Sequence, residues 1–100
     1  MIIVSGTFET DPSQREEALR VGATMASASL AEPGCVTYGF WADPADPARL
    51  RVFEEWETEE ALAAHFGTAH MTEFVAALPG LGVRNADVWR YEATAKSKLI

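Results

Sequence analysis

The chain has 100 residues, 48% of them apolar, and a formal charge of −7 with only eight lysines plus arginines. That length supports one domain, residues 1–100, around a small core, and the absence of any basic cluster excludes a nucleic-acid partner. The single cysteine, Cys35, excludes an intrachain disulfide and a thiolate-rich metal site.

Ile2 to Phe8 is β-branched and aromatic and reads as a first strand. The start lacks a basic segment and a long apolar stretch, so it is not an export signal. No apolar run reaches membrane-spanning length, which predicts a cytoplasmic protein with no membrane partner. Asp11-Pro12 opens a helix over Ser13 to Ala31, with Asp11 as cap and Gln14 in the place of a capping-box partner. Leu19, Gly22/Ala23, Ala26 and Leu30 recur at helical steps. The small residues of GATMASAS let this helix lie close to a sheet. Glu32-Pro33-Gly34 reads as its stop.

Val36 to Trp41 is a second strand. Ala42 to Arg49, with two Asp-Pro pairs, is a turn-rich connector to an antiparallel third strand, about Leu50 to Glu57. Thr58 caps a helix through His65, Gly67-Thr68 interrupts it, and a further piece runs from His70 to Leu78. Pro79-Gly80 ends that piece, and Val83 to Tyr91 alternates as a fourth strand. The tail after Ala95 is short and frays or reaches a partner.

The order β-α-β-β-α-β predicts an α+β, ferredoxin-like antiparallel sheet with helices on one face. Alternation places Ile3, Phe53 and Val88 on one side, and Val4, Val52, Glu54, Trp56 and Trp89 on the other. Both faces then carry large apolar residues, so the uncovered face predicts a homodimer packed sheet against sheet.

Chemistry concentrates in Arg51 to Leu78. His65 lies on the helix side facing the sheet, either as a hydrogen-bonded structural histidine or as a pocket residue that deprotonates a ligand hydroxyl. His70 opens the next helical piece, as a cap or as a working group. Glu54 falls on an apolar strand face, where burial raises a carboxyl's pKa; if the strand phase differs, Glu55 takes its place. Trp56 and Trp89 are core or flat walls for an aromatic ligand, and Tyr38 and Phe40 share one face of the second strand. The two histidines with Glu54 or Glu55 could form a metal set, but the spacing is not HExxH and Gly67 breaks the helix, so no metal is expected. Nothing near Cys35 in sequence lowers its pKa, and it reads as inert.

The runs EPGCVTYGFWADP (Glu32 to Pro44) and FEEWETEEALAAHFGTAHMTEF (Phe53 to Phe74) resemble the antibiotic biosynthesis monooxygenase (ABM) superfamily, above all its small quinol-monooxygenase-like bacterial members. The resemblance implies a ferredoxin-like fold in a dimeric α/β barrel-like assembly, with a pocket between sheet and helices. It further implies a cofactor-independent monooxygenase or oxidase acting on a small quinol or polycyclic phenol. The haem-cleaving branch fits poorly, because Thr7, His65 and Phe74 or Val75 stand where that branch uses asparagine, tryptophan and histidine. On this reading His65, Glu54 and His70 are catalytic, and Tyr38, Phe40, Trp56, Trp89 and Phe66 hold a small aromatic molecule. The alternatives are a non-catalytic dimeric module for an aromatic metabolite, or an isomerase of a small dicarbonyl compound.

Overall fold

In the computed structural model, which describes residues 1–100, β1 (Ile2–Glu9) lies inside a four-stranded antiparallel sheet. It pairs on one side with β3 (Arg49–Trp56) and on the other with β4 (Arg84–Glu92), while β2 (Cys35–Ala42) forms the opposite edge beyond β3. The helices are α1 (Arg15–Leu30), α2 (Glu59–His65) and α3 (Ala69–Ala77). The expected β-α-β-β-α-β order is present, with its second helix broken where Gly67-Thr68 predicts.

Local chemistry explains the boundaries. Asp11 accepts a hydrogen bond from the Ser13 backbone N–H and starts a single 3-10 turn, Pro12–Gln14, ahead of α1; Gln14 contributes no side-chain cap. Thr58 caps α2 by accepting from the Ala61 N–H, and Thr68 caps α3 by accepting from the Met71 N–H. In each case the side-chain oxygen satisfies a donor that has no partner within the helix. Gly22 of α1 lies against the Phe40 ring, where a Cβ would come within 2.9 Å of Cδ2. The small residues of α1 thus do bring it onto the sheet.

The inner face carries Ile2, Val4 and Phe8 from β1, Tyr38 and Phe40 from β2, and Leu50, Val52, Glu54 and Trp56 from β3. Two core clusters form against it. One joins Ile2, Met25, Tyr38, Trp56 and Leu62; the other joins Phe8, Ala18, Leu50, Val52 and Leu81.

Two expectations are corrected. The sheet is open: β2 and β4 are free edges and the helices cover one face, so the chain is an open α+β ferredoxin-like sheet and not the barrel-like form expected of the dimeric α/β assembly. Four strands leave both edges unpaired, and nothing in this chain closes them. The phase of β4 also differs. Val88 pairs with Gly6 and Trp89 with Ser5, which puts Val88 on the inner face and Trp89 outside with Ile3 and Phe53. Alternation gives a strand its period, but its phase comes from pairing. Here that pairing includes an irregularity between Thr7 and Glu9, opposite Asn85 at a φ of 52°. Within the tail, Lys96 Nζ lies 2.8 Å from Glu55 Oε2, while Leu99 and Ile100 are fully exposed.

Candidate functional site

Between the inner sheet face and the α2–α3 pair lies a cavity of about 380 Å³. Its walls are apolar apart from Glu54, His65 and Arg90. That volume is at the lower end of small-molecule pockets, roughly 300–1,000 Å³. All nine residues of β4 are exposed, and Ala86, Val88 and Arg90 of β4 form one wall, so the cavity opens along this edge.

Strand β3 delivers Glu54. Its inner-face neighbours Val52 and Trp56 are buried, and Glu54 is itself only 7% exposed. The Trp56 indole N–H donates to Glu54 Oε1 at 2.9 Å. Burial raises the Glu54 pKa to about 7; the Trp56 N–H works against that rise and the negative charge of Glu32 adds to it. Helix α2 delivers His65 from its last turn, with the side chain 1% exposed and the ring packed on Trp56 and Tyr38 at centroid distances of 4.7 and 5.4 Å. Burial, and after it the Glu54 charge, pushes the Tyr38 hydroxyl well above the usual phenol range. The opposite wall comes from α3, whose Phe74 stacks on Phe40 at 5.4 Å.

Behind His65 is a residue that the sequence reading took as part of a helix stop and as the first residue of the Glu32 to Pro44 run, with no role at the site. Glu32 Oε2 lies 2.6 Å from His65 Nδ1 and 2.8 Å from His70 Nε2. The turn that places it is built around Gly34, whose φ is +83° and whose Cβ, if present, would meet Ala61 Cβ at 2.7 Å. The turn is thereby pressed onto the start of α2. The signal available in sequence was a carboxylate in a Pro-Gly turn, which has no period to aim it.

Glu32, His65 and His70 bring three potential metal-ligating atoms together, whereas the sequence offered Glu54 or Glu55 as the third ligand. The separations of 2.6 and 2.8 Å fit shared protons. Tetrahedral ligands about 2.0–2.1 Å from one ion stay roughly 3.3 Å apart.

Of the predicted site residues, Glu54, His65, Tyr38, Phe40, Phe66 and Trp89 line the cavity. Trp89 does so from the edge strand, although its register assigns it to the outer face. Trp56 is fully buried behind Glu54 and His65 and does not line it. His70 lies outside the cavity, beside a smaller groove between α1 and α3, and connects to His65 through Glu32. Burial first, and the Glu32 charge second, push the Cys35 thiol up to about 11, so it holds its proton.

The family model for antibiotic biosynthesis monooxygenase matches residues 1–77. The chain belongs to that family. Among its relatives, "Uncharacterized protein sll1783" of Synechocystis is 33% identical over 91 residues, covering 91% of this chain. This chain spans 62% of that relative's length. "Putative monooxygenase YcnE" of Bacillus subtilis is 30% identical over 76 residues, covering 76% of this chain and 80% of its own. A crystal structure from Deinococcus radiodurans, described as a "putative antibiotic biosynthesis monooxygenase", superposes with a TM-score of 0.91 at 24% identity. It covers 100% of this chain and 99% of its own, a likeness of fold. No helix of the chain is long and apolar enough to cross a membrane.

Proposed function

We propose that the protein is a cofactor-independent monooxygenase or oxidase of a small quinol or polycyclic phenol. The observation that carries this reading is a pair of titratable groups, His65 and Glu54, in the wall of an otherwise apolar, aromatic-rich cavity. An electron-rich hydroquinone needs little else. Once its hydroxyl is deprotonated, the phenolate passes electrons to molecular oxygen directly. In the oxidase form two electrons and two protons leave the quinol, giving quinone and hydrogen peroxide. In the monooxygenase form a ring CH2 and O2 become a carbonyl and water.

His65 takes the phenolic proton, with Glu54 and His70 as supporting groups. Tyr38, Phe40 and Phe66 hold the ring, and Trp56 backs the site from the core. Membership of the ABM family supports the reaction class, and the apolar walls support an aromatic substrate. The cavity's volume favours one or two fused rings.

The test is oxygen uptake with a panel of quinols and phenols, with and without chelator, on the wild type and on His65→Ala and His65→Gln. Turnover unaffected by chelator and reduced about 10²–10⁴-fold in both variants is the expected result. A His65→Ala protein that keeps the wild-type rate with a menadiol-like quinol would falsify the mechanism. Ligand binding without turnover by any quinol would leave a non-catalytic module for an aromatic metabolite.

The partner we propose for the outer face is a second copy of the chain. Trp41, Trp89 and Tyr91 are more than half exposed there, and β4 is uncovered on both faces. Light scattering on the eluting protein should give twice the chain mass, and Trp89→Glu should shift it toward one chain. A wild type that elutes as one chain would remove this partner.

A further inference from the structure

We infer that Glu32 is a positioning residue for His65, fixing its imidazole as the Nδ1–H tautomer so that Nε2 faces the cavity as the free base. The inference rests on the reading of His65 as proton acceptor and adds to it a residue from outside the cavity wall.

An ionised carboxylate only accepts hydrogen bonds. Glu32 Oε2 lies 2.6 Å from His65 Nδ1 and 2.8 Å from His70 Nε2, so both of those nitrogens donate to it. Hydrogen bonds of this length to an ionised group are the strong, charge-assisted kind. A neutral imidazole carries one proton, so with Nδ1 committed to Glu32 the lone pair is on Nε2. Nε2 has no hydrogen-bond partner within the chain. With Nδ1 taken by Glu32, Nε2 is the ring nitrogen left to serve the cavity that His65 lines.

The carboxylate is itself held. Its side chain is 11% exposed, and His70 grips the same oxygen from α3. Its backbone belongs to the turn in which Glu32 N–H donates to the Ser29 carbonyl and Cys35 N–H to the Glu32 carbonyl. A base oriented by a third group is the arrangement that activates proton transfer in many unrelated enzymes. The proton passes from the quinol hydroxyl to His65 Nε2. The imidazolium formed keeps its Nδ1–H on Glu32, which stabilises the new charge. Without Glu32 the ring is free to carry its proton on Nε2, and in that form it cannot accept one from the cavity side.

The chain has two histidines, so nitrogen-15 NMR of the imidazoles, with His70→Gln for assignment, reads the tautomer directly. The wild type should show His65 protonated at Nδ1 and unprotonated at Nε2. Glu32→Ala should lose that preference and lower kcat for quinol-dependent oxygen uptake about ten- to hundredfold, the usual cost of an orienting partner, with KM little changed. Glu32→Gln keeps an acceptor oxygen and should recover the tautomer and part of the rate. Adding Glu32→Ala to His65→Ala should cost nothing further. The inference is overturned by a wild-type His65 protonated at Nε2, by a Glu32→Ala protein whose His65 stays Nδ1–H, or by a stoichiometric divalent ion on these three residues. If the wild type turns over no quinol, the functional reading fails, while the wild-type NMR signal still decides the role of Glu32.

Discussion

Glu54 shows what a residue's surroundings do to its chemistry. Val52 and Trp56, two positions away on either side, are buried on the same strand face, and desolvation holds its carboxyl near pH 7 against an ordinary value of 4.5. Because the folded pKa is raised, the folded chain binds more protons than the unfolded chain between about pH 4.5 and 7. Stability is therefore fullest below that window and is lost as pH rises through it. The difference is worth about 3 kcal/mol. Glu54→Gln, which keeps an acceptor for the Trp56 N–H, should match the wild type near pH 4 and exceed it by about 2–3 kcal/mol at pH 8.5. Urea unfolding at each pH measures this, and a gain independent of pH would mean that the carboxyl is not held neutral. Glu54 was legible in the sequence because a strand's period of two ties it to Val52 and Trp56. Glu32 was not, since a turn has no period. Its direction depends on Gly34 meeting Ala61, twenty-seven residues further along the chain.

At the level of elements, the site depends on two junctions. Thr68 caps α3 through the Met71 N–H and also donates its hydroxyl to the His65 carbonyl at 2.8 Å, tying the end of α2 to the start of α3. Thr68→Ala should cost about 1 kcal/mol, typical of a lost N-cap, as a lower urea midpoint at unchanged slope. The Glu32–Gly34 turn should be less forgiving. Gly34→Ala places a side chain at a φ of +83° and drives its Cβ into Ala61. The backbone contributes about 1–2 kcal/mol and the overpacking about 1–3 kcal/mol. Ala61→Gly in the same chain should recover the packing part alone. A glycine within α2 costs about 1 kcal/mol by itself, so the comparison is with Ala61→Gly alone: if Gly34→Ala costs as much in that background as in the wild type, the Ala61 contact is not the source of the strain. Both breaks were readable, because Gly, Pro and Thr mark helix ends by their own chemistry. The phase of β4 was not, because ladder pairing near Asn85 fixes it and the alternation of Val88 and Trp89 is the same in either phase.

Across the whole molecule, the broken helix and the exposed β4 edge produce the cavity. The ferredoxin-like order was legible from strand and helix periods, but the cavity was not. Its volume depends on how far α2 and α3 stand off the sheet, which no single segment encodes. A cavity walled by Val4, Phe40, Phe74 and Val88 should take a planar aromatic from water, with His65 and Glu54 offering hydrogen-bond partners to a hydroxyl. A ligand that binds only the folded chain stabilises it by mass action, about 1.4 kcal/mol at ten times its Kd. In a chain of this size that raises Tm by roughly 6–11 °C. A naphthol, which has the ring and one hydroxyl but is not a hydroquinone, should give such a shift in thermal unfolding. Val4→Phe grows into the cavity from the central strand and should abolish most of the shift while leaving the unliganded Tm within a few degrees. His65→Gln should keep most of the shift, because the apolar walls supply most of the contact area, and lose turnover instead. That pair of outcomes separates binding from chemistry. Equal naphthol shifts in the wild type and in Val4→Phe would place the ligand elsewhere on the protein.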